Sequence, residues 1–175
     1  MCTAATYKTR DFYFGRTLDH GCSYGEEITI TPRNHPFLFR EMKPLKHHYA
    51  MIGTAFIAQD YPLYYDAVNE KGLAIAGLNF TGNAYYGLPV QGRDNLAVYE
   101  LIPWLLGDCA TVKECQKKLE KVNLTNISIN DELPVAQLHW IIADKEEAIT
   151  LEAVDDGMHI YPNPVGILTN NPAFP

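Results

Sequence analysis

Two runs of short strands with a helical stretch between them leave few architectures open to this chain. Phe12-Tyr13-Phe14, Ile28-Thr29-Ile30-Thr31 and residues 49–57, 64–68 and 73–80 are rich in aromatic and β-branched residues and are divided by Gly, Pro and Asn, the pattern of strands. Asn69-Glu70-Lys71-Gly72 lies between the last two as a tight hairpin connection. Residues 96–106 are apolar almost all round, which predicts a helix buried on more than one side, capped by Asp94 or Asn95 and kinked at Pro103. Thr111-Val112-Lys113-Glu114 is a capping-box start, and Val112, Cys115, Leu119 and Val122 fall on one helical face with the lysines directed to water. Strands return at 138–143, 148–154, 158–161 and 166–169, with turns at 144–147 and Asp155-Asp156-Gly157. Strands, then helices, then strands predict an α+β layered fold with a mainly antiparallel sheet, and 175 residues suit a single domain over 1–175.

Charge narrows the function. Lys and Arg number 14 against 21 Asp and Glu, a formal charge of −7, which repels a phosphate backbone and excludes nucleic acid as a partner. No apolar stretch approaches the roughly 18–20 residues of a membrane span, and the start has no basic segment leading into an apolar one. The expectation is a soluble, cytoplasmic protein with no membrane contact, in which Cys2, Cys22, Cys109 and Cys115 stay reduced. Neither the cysteines nor the six histidines have metal-ligand spacing, so no metal and no cofactor is expected.

Cys2 is the most informative residue. Methionine removal ahead of it places a thiol and a free α-amine on one residue, so the nucleophile carries its own base. An ordinary thiol is only about 3% thiolate at pH 7, while an α-amine of pKa about 7.7–8 can take its proton. Downstream, Phe14-Gly15-Arg16-Thr17-Leu18-Asp19 offers a permanent cation that favours thiolate and a carboxylate that can hold an ammonium.

These residues, with Pro32-Arg33-Asn34, Asp60-Tyr61-Pro62, Asn69-Glu70-Lys71-Gly72-Leu73, Ala76-Gly77-Leu78-Asn79-Phe80, Leu138-His139-Trp140 and Gly166-Ile167-Leu168-Thr169-Asn170, resemble the choloylglycine hydrolase family. That family comprises bile salt hydrolases and penicillin V acylases, both N-terminal-nucleophile amidohydrolases. The resemblance implies a four-layer α-β-β-α sandwich with two stacked antiparallel sheets. It makes Cys2 the nucleophile, Arg16 its neighbour, Asp19 the partner of the amine, Asn79 an oxyanion donor, and Asn170 the group that orients the nucleophile and binds the same intermediate.

Asparagine at position 79 is similar to bile salt hydrolases, where penicillin V acylases tend to have tyrosine. Leu18, Tyr24, Ile129, Leu133 and Leu138 stand where the family lines its acyl pocket. The implied reaction hydrolyses the amide between a cholane acyl group and glycine or taurine, a small-molecule substrate. Penicillin V or N-acyl homoserine lactones are the alternative substrates. Family members are about twice as long, with an active-site arginine beyond the Asn170 position, so the chain reads as the nucleophile half of a larger sandwich lacking its C-terminal half. The implied partners are further copies of the chain, a tetramer by resemblance, or a separate C-terminal piece. An inactive fragment that serves as an association module is the rival from another class.

Overall fold

Antiparallel pairing takes up most of the apolar segments, as their short length and turn-forming boundaries require. The computed structural model describes residues 1–174. β1 (Thr3–Lys8), β2 (Phe12–Thr17) and β12 (Ile167–Thr169) form a three-stranded sheet in the order β12-β1-β2. β3 (Glu27–Thr31), β4 (Met51–Ala58), β5 (Tyr61–Asn69), β6 (Ala74–Asn79), β9 (Leu138–Ala143), β10 (Ala148–Val154) and β11 (Gly157–Pro162) form a seven-stranded sheet. Its order is β11-β10-β9-β6-β5-β4-β3, and every neighbouring pair is antiparallel. A parallel pair, β7 (Asp94–Ala97) and β8 (Val122–Thr125), brackets the helices α1 (Leu101–Asp108) and α2 (Val112–Leu119) in the chain.

The period-2 alternation of strand side chains gives the large sheet two buried faces. On one, Ile75, Trp140, Ile142 and Leu151 pack with Leu101, Leu105, Cys115 and Leu119 of the helices. On the other, Ala76, Leu78 and Ile141 pack with Cys2, Ala4 and Leu168 of the smaller sheet. A helical layer, a large sheet and a smaller sheet therefore stack in that order, three of the four layers of the expected sandwich. The far side of the smaller sheet leaves Tyr7 and Tyr13 exposed. Among the described residues no helix is long and apolar enough to cross a membrane.

The helix expected over 96–106 is corrected at its start. Leu96 and Ala97 pair with Leu124 and Thr125 in the parallel ladder, a 3-10 turn covers Val98–Glu100, and α1 begins only at Leu101. Pro103 therefore falls in the first turn, where its missing N–H costs no helical bond and no kink is needed. Asn95 caps nothing. Its Oδ1 accepts from the Val90 N–H and from Asn123. Thr111 does cap α2, accepting from the Glu114 N–H, but α2 ends at Leu119 and Val122 belongs to β8. Lys118 does not point freely to water either: its ammonium lies 3.9 Å from the Trp104 ring centre and 2.8 Å from Asp108. β1, β7 and β8 lie outside the strands expected from the sequence.

Asn69 locks the β5–β6 turn to the helical layer. Its Oδ1 accepts from the N–H groups of Lys71 and Leu73, and its Nδ2 donates to the carbonyls of Leu106 and Cys109 at the end of α1. Gly72 supplies the positive φ of 85° that closes the turn. Glu70 beside it pairs with Arg33 and accepts from the Ala50 N–H, and the Arg33 hydrogen bond pulls its carboxyl down to about 2. Two of the short motifs in the sequence, around Arg33 and around Asn69, thus meet in space. Asn69→Ala leaves two buried carbonyls and two N–H groups without this partner; at about 1–3 kcal/mol for an unsatisfied buried group, a loss of at least about 3 kcal/mol is expected in a urea melt.

Candidate active site

Four chain segments converge at one end of the sandwich. Cys2 precedes β1 and turns inward with Ala4, leaving the residue 3% exposed. Arg16 stands on β2 opposite Ala4, diagonal to Cys2 across the ladder, and its side chain reaches Asp66 of β5 with Nη1 3.3 Å from Oδ2. Asn79 ends β6 opposite Leu138, the first residue of β9. Asn170 follows β12 and bridges the others: its Oδ1 accepts from the Cys2 N–H at 2.6 Å, and its Nδ2 donates to the Asn79 carbonyl at 2.8 Å.

Below Asn170 a buried polar cluster holds β12 in place. His139 places Nε2 2.7 Å from the Thr169 carbonyl and Nδ1 2.9 Å from Glu152, and its ring stacks on Phe80. Glu152 also accepts from the Phe174 N–H. Both ring nitrogens of a fully buried imidazole are thereby engaged, as burial demands.

Met1 precedes Cys2, and its ammonium donates to Asp19 Oδ2 at 2.5 Å. That hydrogen bond raises the ammonium above its ordinary value and holds the Asp19 carboxyl below its own. The Asp19 carbonyl lies 4.0 Å from Cys2 Sγ. With Met1 attached, the Cys2 nitrogen is an amide held by Asn170, and Asp19 serves the residue before it.

Cys2, Arg16 and Asn79 border a cavity of about 390 Å³. All five residues expected to receive an acyl group, Leu18, Tyr24, Ile129, Leu133 and Leu138, line it. Asp19 and Asn170 are not in its wall; they contact the Met1–Cys2 backbone instead. The wall contributed by residues 127–136 is pinned by Arg40, which donates to the Ile129 carbonyl and, through Nε, to Tyr99 Oη at 3.1 Å. Glu100 in turn accepts from the Arg40 N–H, and burial raises its carboxyl. Phe56, Tyr65, Tyr99, Ile102 and Trp140 also line the cavity, beyond the residues to which the sequence points. Their sequence signal is that of core strand and helix, since an apolar side chain facing a cavity and one facing a core read alike. Asp66, whose carboxylate meets Arg16, stands out in sequence only as a carboxylate inside the apolar segment Tyr64-Tyr65-Asp66-Ala67-Val68.

Leu138 is fixed in the wall by Tyr86, whose hydroxyl accepts from the Leu138 N–H at 2.9 Å and donates to its carbonyl at 3.0 Å. Burial pushes the Tyr86 phenol up to about 12. Its folded value lies above the ordinary tyrosine value of about 10, so its contribution to stability is complete below pH ~10 and is lost as pH rises through ~12. Titration at 295 nm, taken as wild type minus Tyr86→Phe, should show one phenol ionising near pH 12; ionisation near 10 would mean that the site is open to water.

Residues 2–175 match the family described as linear amide C–N hydrolases, choloylglycine hydrolase family. The chain is 53% identical over 174 residues to a bile salt hydrolase/transferase of Lactiplantibacillus plantarum, covering 99% of this chain and 54% of that protein. It is 42% identical over 178 residues to a conjugated bile acid hydrolase of Lactobacillus gasseri, covering 99% of this chain and 56% of the relative. Among solved structures, the C2A mutant of conjugated bile acid hydrolase from Clostridium perfringens superposes with a TM-score of 0.93 at 34% identity, over 99% of this chain and 54% of the other. Penicillin V acylase from Agrobacterium tumefaciens shares the fold at a TM-score of 0.79 and 21% identity, over 99% of this chain and 53% of that one. The chain spans about half the length of the curated relatives it matches.

Proposed function

The chain belongs to the choloylglycine hydrolase family of linear amide C–N hydrolases, and from that premise we propose that it carries the nucleophile and acyl pocket of a hydrolase acting on glycine- and taurine-conjugated bile salts. The observation that carries this reading is the cavity: a nearly buried cysteine with Arg16 and Asn79 at one place, and Leu18, Tyr24, Ile129, Leu133 and Leu138 around the rest of the wall. A steroid acyl group needs such an apolar, preformed trough with a few polar groups fixing the scissile bond.

In this mechanism, removal of Met1 converts the Cys2 nitrogen from an amide into an α-amine. Asn170 Oδ1, already 2.6 Å from that nitrogen, accepts from it and leaves its lone pair to take the thiol proton. The Cys2 sulfur attacks the amide carbonyl, and the Asn79 side chain donates to the oxyanion that forms. The resulting ammonium gives its proton to the departing glycine or taurine nitrogen. Water then attacks the thioester, with the same amine as base, and releases the bile acid. Asn170 serves as an orienting group here, because its Nδ2 already donates to the Asn79 carbonyl. Residues 1–175 act within one domain, and further copies of the chain are its proposed partners.

Incubation with glycocholate and taurocholate should release free glycine and taurine faster than penicillin V or an N-acyl homoserine lactone is cleaved. Cys2→Ala, or retention of Met1 verified by mass, should abolish release, and Asn79→Ala should cut it about 10²–10³-fold, the usual loss for an oxyanion donor. Turnover that survives Cys2→Ala sinks the mechanism.

A further inference from the structure

Arg16 stands on the inner face of the smaller sheet, with its side chain only 7% exposed. A guanidinium so far out of water needs a partner that is both charged and hydrogen-bonding. Asp66 is that partner, and it comes from the facing sheet, so the pair spans the gap between the two. One Asp66 oxygen accepts from Arg16 Nη1, while the other accepts from the Thr54 N–H at 3.3 Å, which fixes the carboxylate from its own sheet.

The backbone is shaped to aim that carboxylate. Thr54 pairs with Asp66 and Ala55 with Tyr64, so the β4–β5 register slips by one residue and Tyr65 is left over as a bulge. A one-residue slip reverses the faces of everything beyond it. Tyr64 can therefore join the helical-side core while Asp66 meets Arg16 on the other side. Gly53 fits the same device: a Cβ there would lie 1.9 Å from the Asp66 carbonyl oxygen.

We propose that Asp66 is a positioning residue that holds Arg16 in the cavity wall beside Cys2. The inference rests on the reading of Arg16 as the cation serving the Cys2 nucleophile. Without Asp66 the guanidinium leaves its dry position for water and the thiol loses its neighbour.

Alkylation of Cys2 by iodoacetamide at pH 7 reads this arrangement without requiring turnover, with mass spectrometry of the N-terminal peptide separating Cys2 from the exposed Cys22. Asp66→Asn should slow Cys2 alkylation by about threefold or more when Arg16 is present and by less than about 1.5-fold in an Arg16→Leu background, because the carboxylate acts through the guanidinium. Asp66→Glu should recover at least about half of the lost rate, since it keeps the charge. Thermal melts check folding; if Asp66→Asn does not fold, Asp66→Ser, which admits water to the guanidinium, takes its place in both backgrounds. Equal slowing in the two backgrounds makes Asp66 merely structural and overturns the proposal. Faster alkylation in Asp66→Asn also overturns it, since the carboxylate would then only screen Arg16. An Arg16→Leu variant that alkylates at the wild-type rate removes the role given to Arg16, and the proposal with it, whatever the hydrolysis assays show.

Discussion

A single carboxamide joins the parts of the candidate site. Asn170 accepts from the Cys2 nitrogen across 168 residues of sequence and donates to the Asn79 carbonyl across 91. Cys2 and Asn170 flank the paired strands β1 and β12 of the smaller sheet, while Asn79 ends a strand of the larger one. The bond therefore fixes how the two sheets are offset at the end where the cavity opens. A carboxamide suits this work because it presents a donor and an acceptor at once, and its rigidity sets the separation of its two partners. Its own position depends on the buried imidazole of His139, which holds the carbonyl of the preceding Thr169.

Polar groups inside the sandwich are arranged on the same principle of paired support. Arg16 and Asp66 face each other from opposite sheets, and His139 and Glu152 meet on neighbouring strands of one sheet. Each pair lies where an isolated charge or an unpaired polar atom would be costly, and each has a backbone partner as well: Thr54 for Asp66, Thr169 for His139 and Phe174 for Glu152. The contacts that cross between the sheets, Arg16 to Asp66 and His139 to the Thr169 carbonyl, fix one relative placement of the two sheets, which apolar contacts alone would leave free to slide. Placement of the cavity groups at hydrogen-bond accuracy follows from this second set of contacts more than from the core.

The sequence made the strands of the large sheet legible because turn residues bound them and their side chains are β-branched or aromatic; segments 138–143 and 148–154 match β9 and β10 end to end. It misled where two structures share one pattern. The apolar run from Leu96 reads as helix, yet Leu96 and Ala97 lie in a parallel ladder whose other strand, β8, is remote in sequence and was itself read as the end of a helical face. Non-local pairing of that kind leaves no trace in local periodicity. Short motifs and family resemblance point to Cys2, Arg16, Asn79 and Asn170, which the fold brings to one end of the sandwich, and to Asp19, which meets the Met1 ammonium. Asp66, Tyr86 and Arg40 are not legible in this way, because their importance lies in what they touch. A tyrosine that grips Leu138 and an arginine that grips the Ile129 carbonyl look in sequence like any others.

The N-terminus shows why the position of a nitrogen matters more here than the identity of the residues around it. With Met1 present, Asp19 holds the Met1 ammonium, and Asn170 holds a nitrogen that cannot accept a proton because it is an amide. Under the proposed mechanism, cleavage of the Met1–Cys2 bond makes the Cys2 nitrogen a basic amine at the atom that Asn170 Oδ1 meets at 2.6 Å. Asp19 then loses the Met1 ammonium, and in the proposed mechanism its carboxylate serves the new one. The resemblance gives the amine to Asp19 and the orientation of the nucleophile to Asn170; under the proposed mechanism both meet at the Cys2 nitrogen once Met1 is removed. In the proposed mechanism, what removal of Met1 supplies is the base.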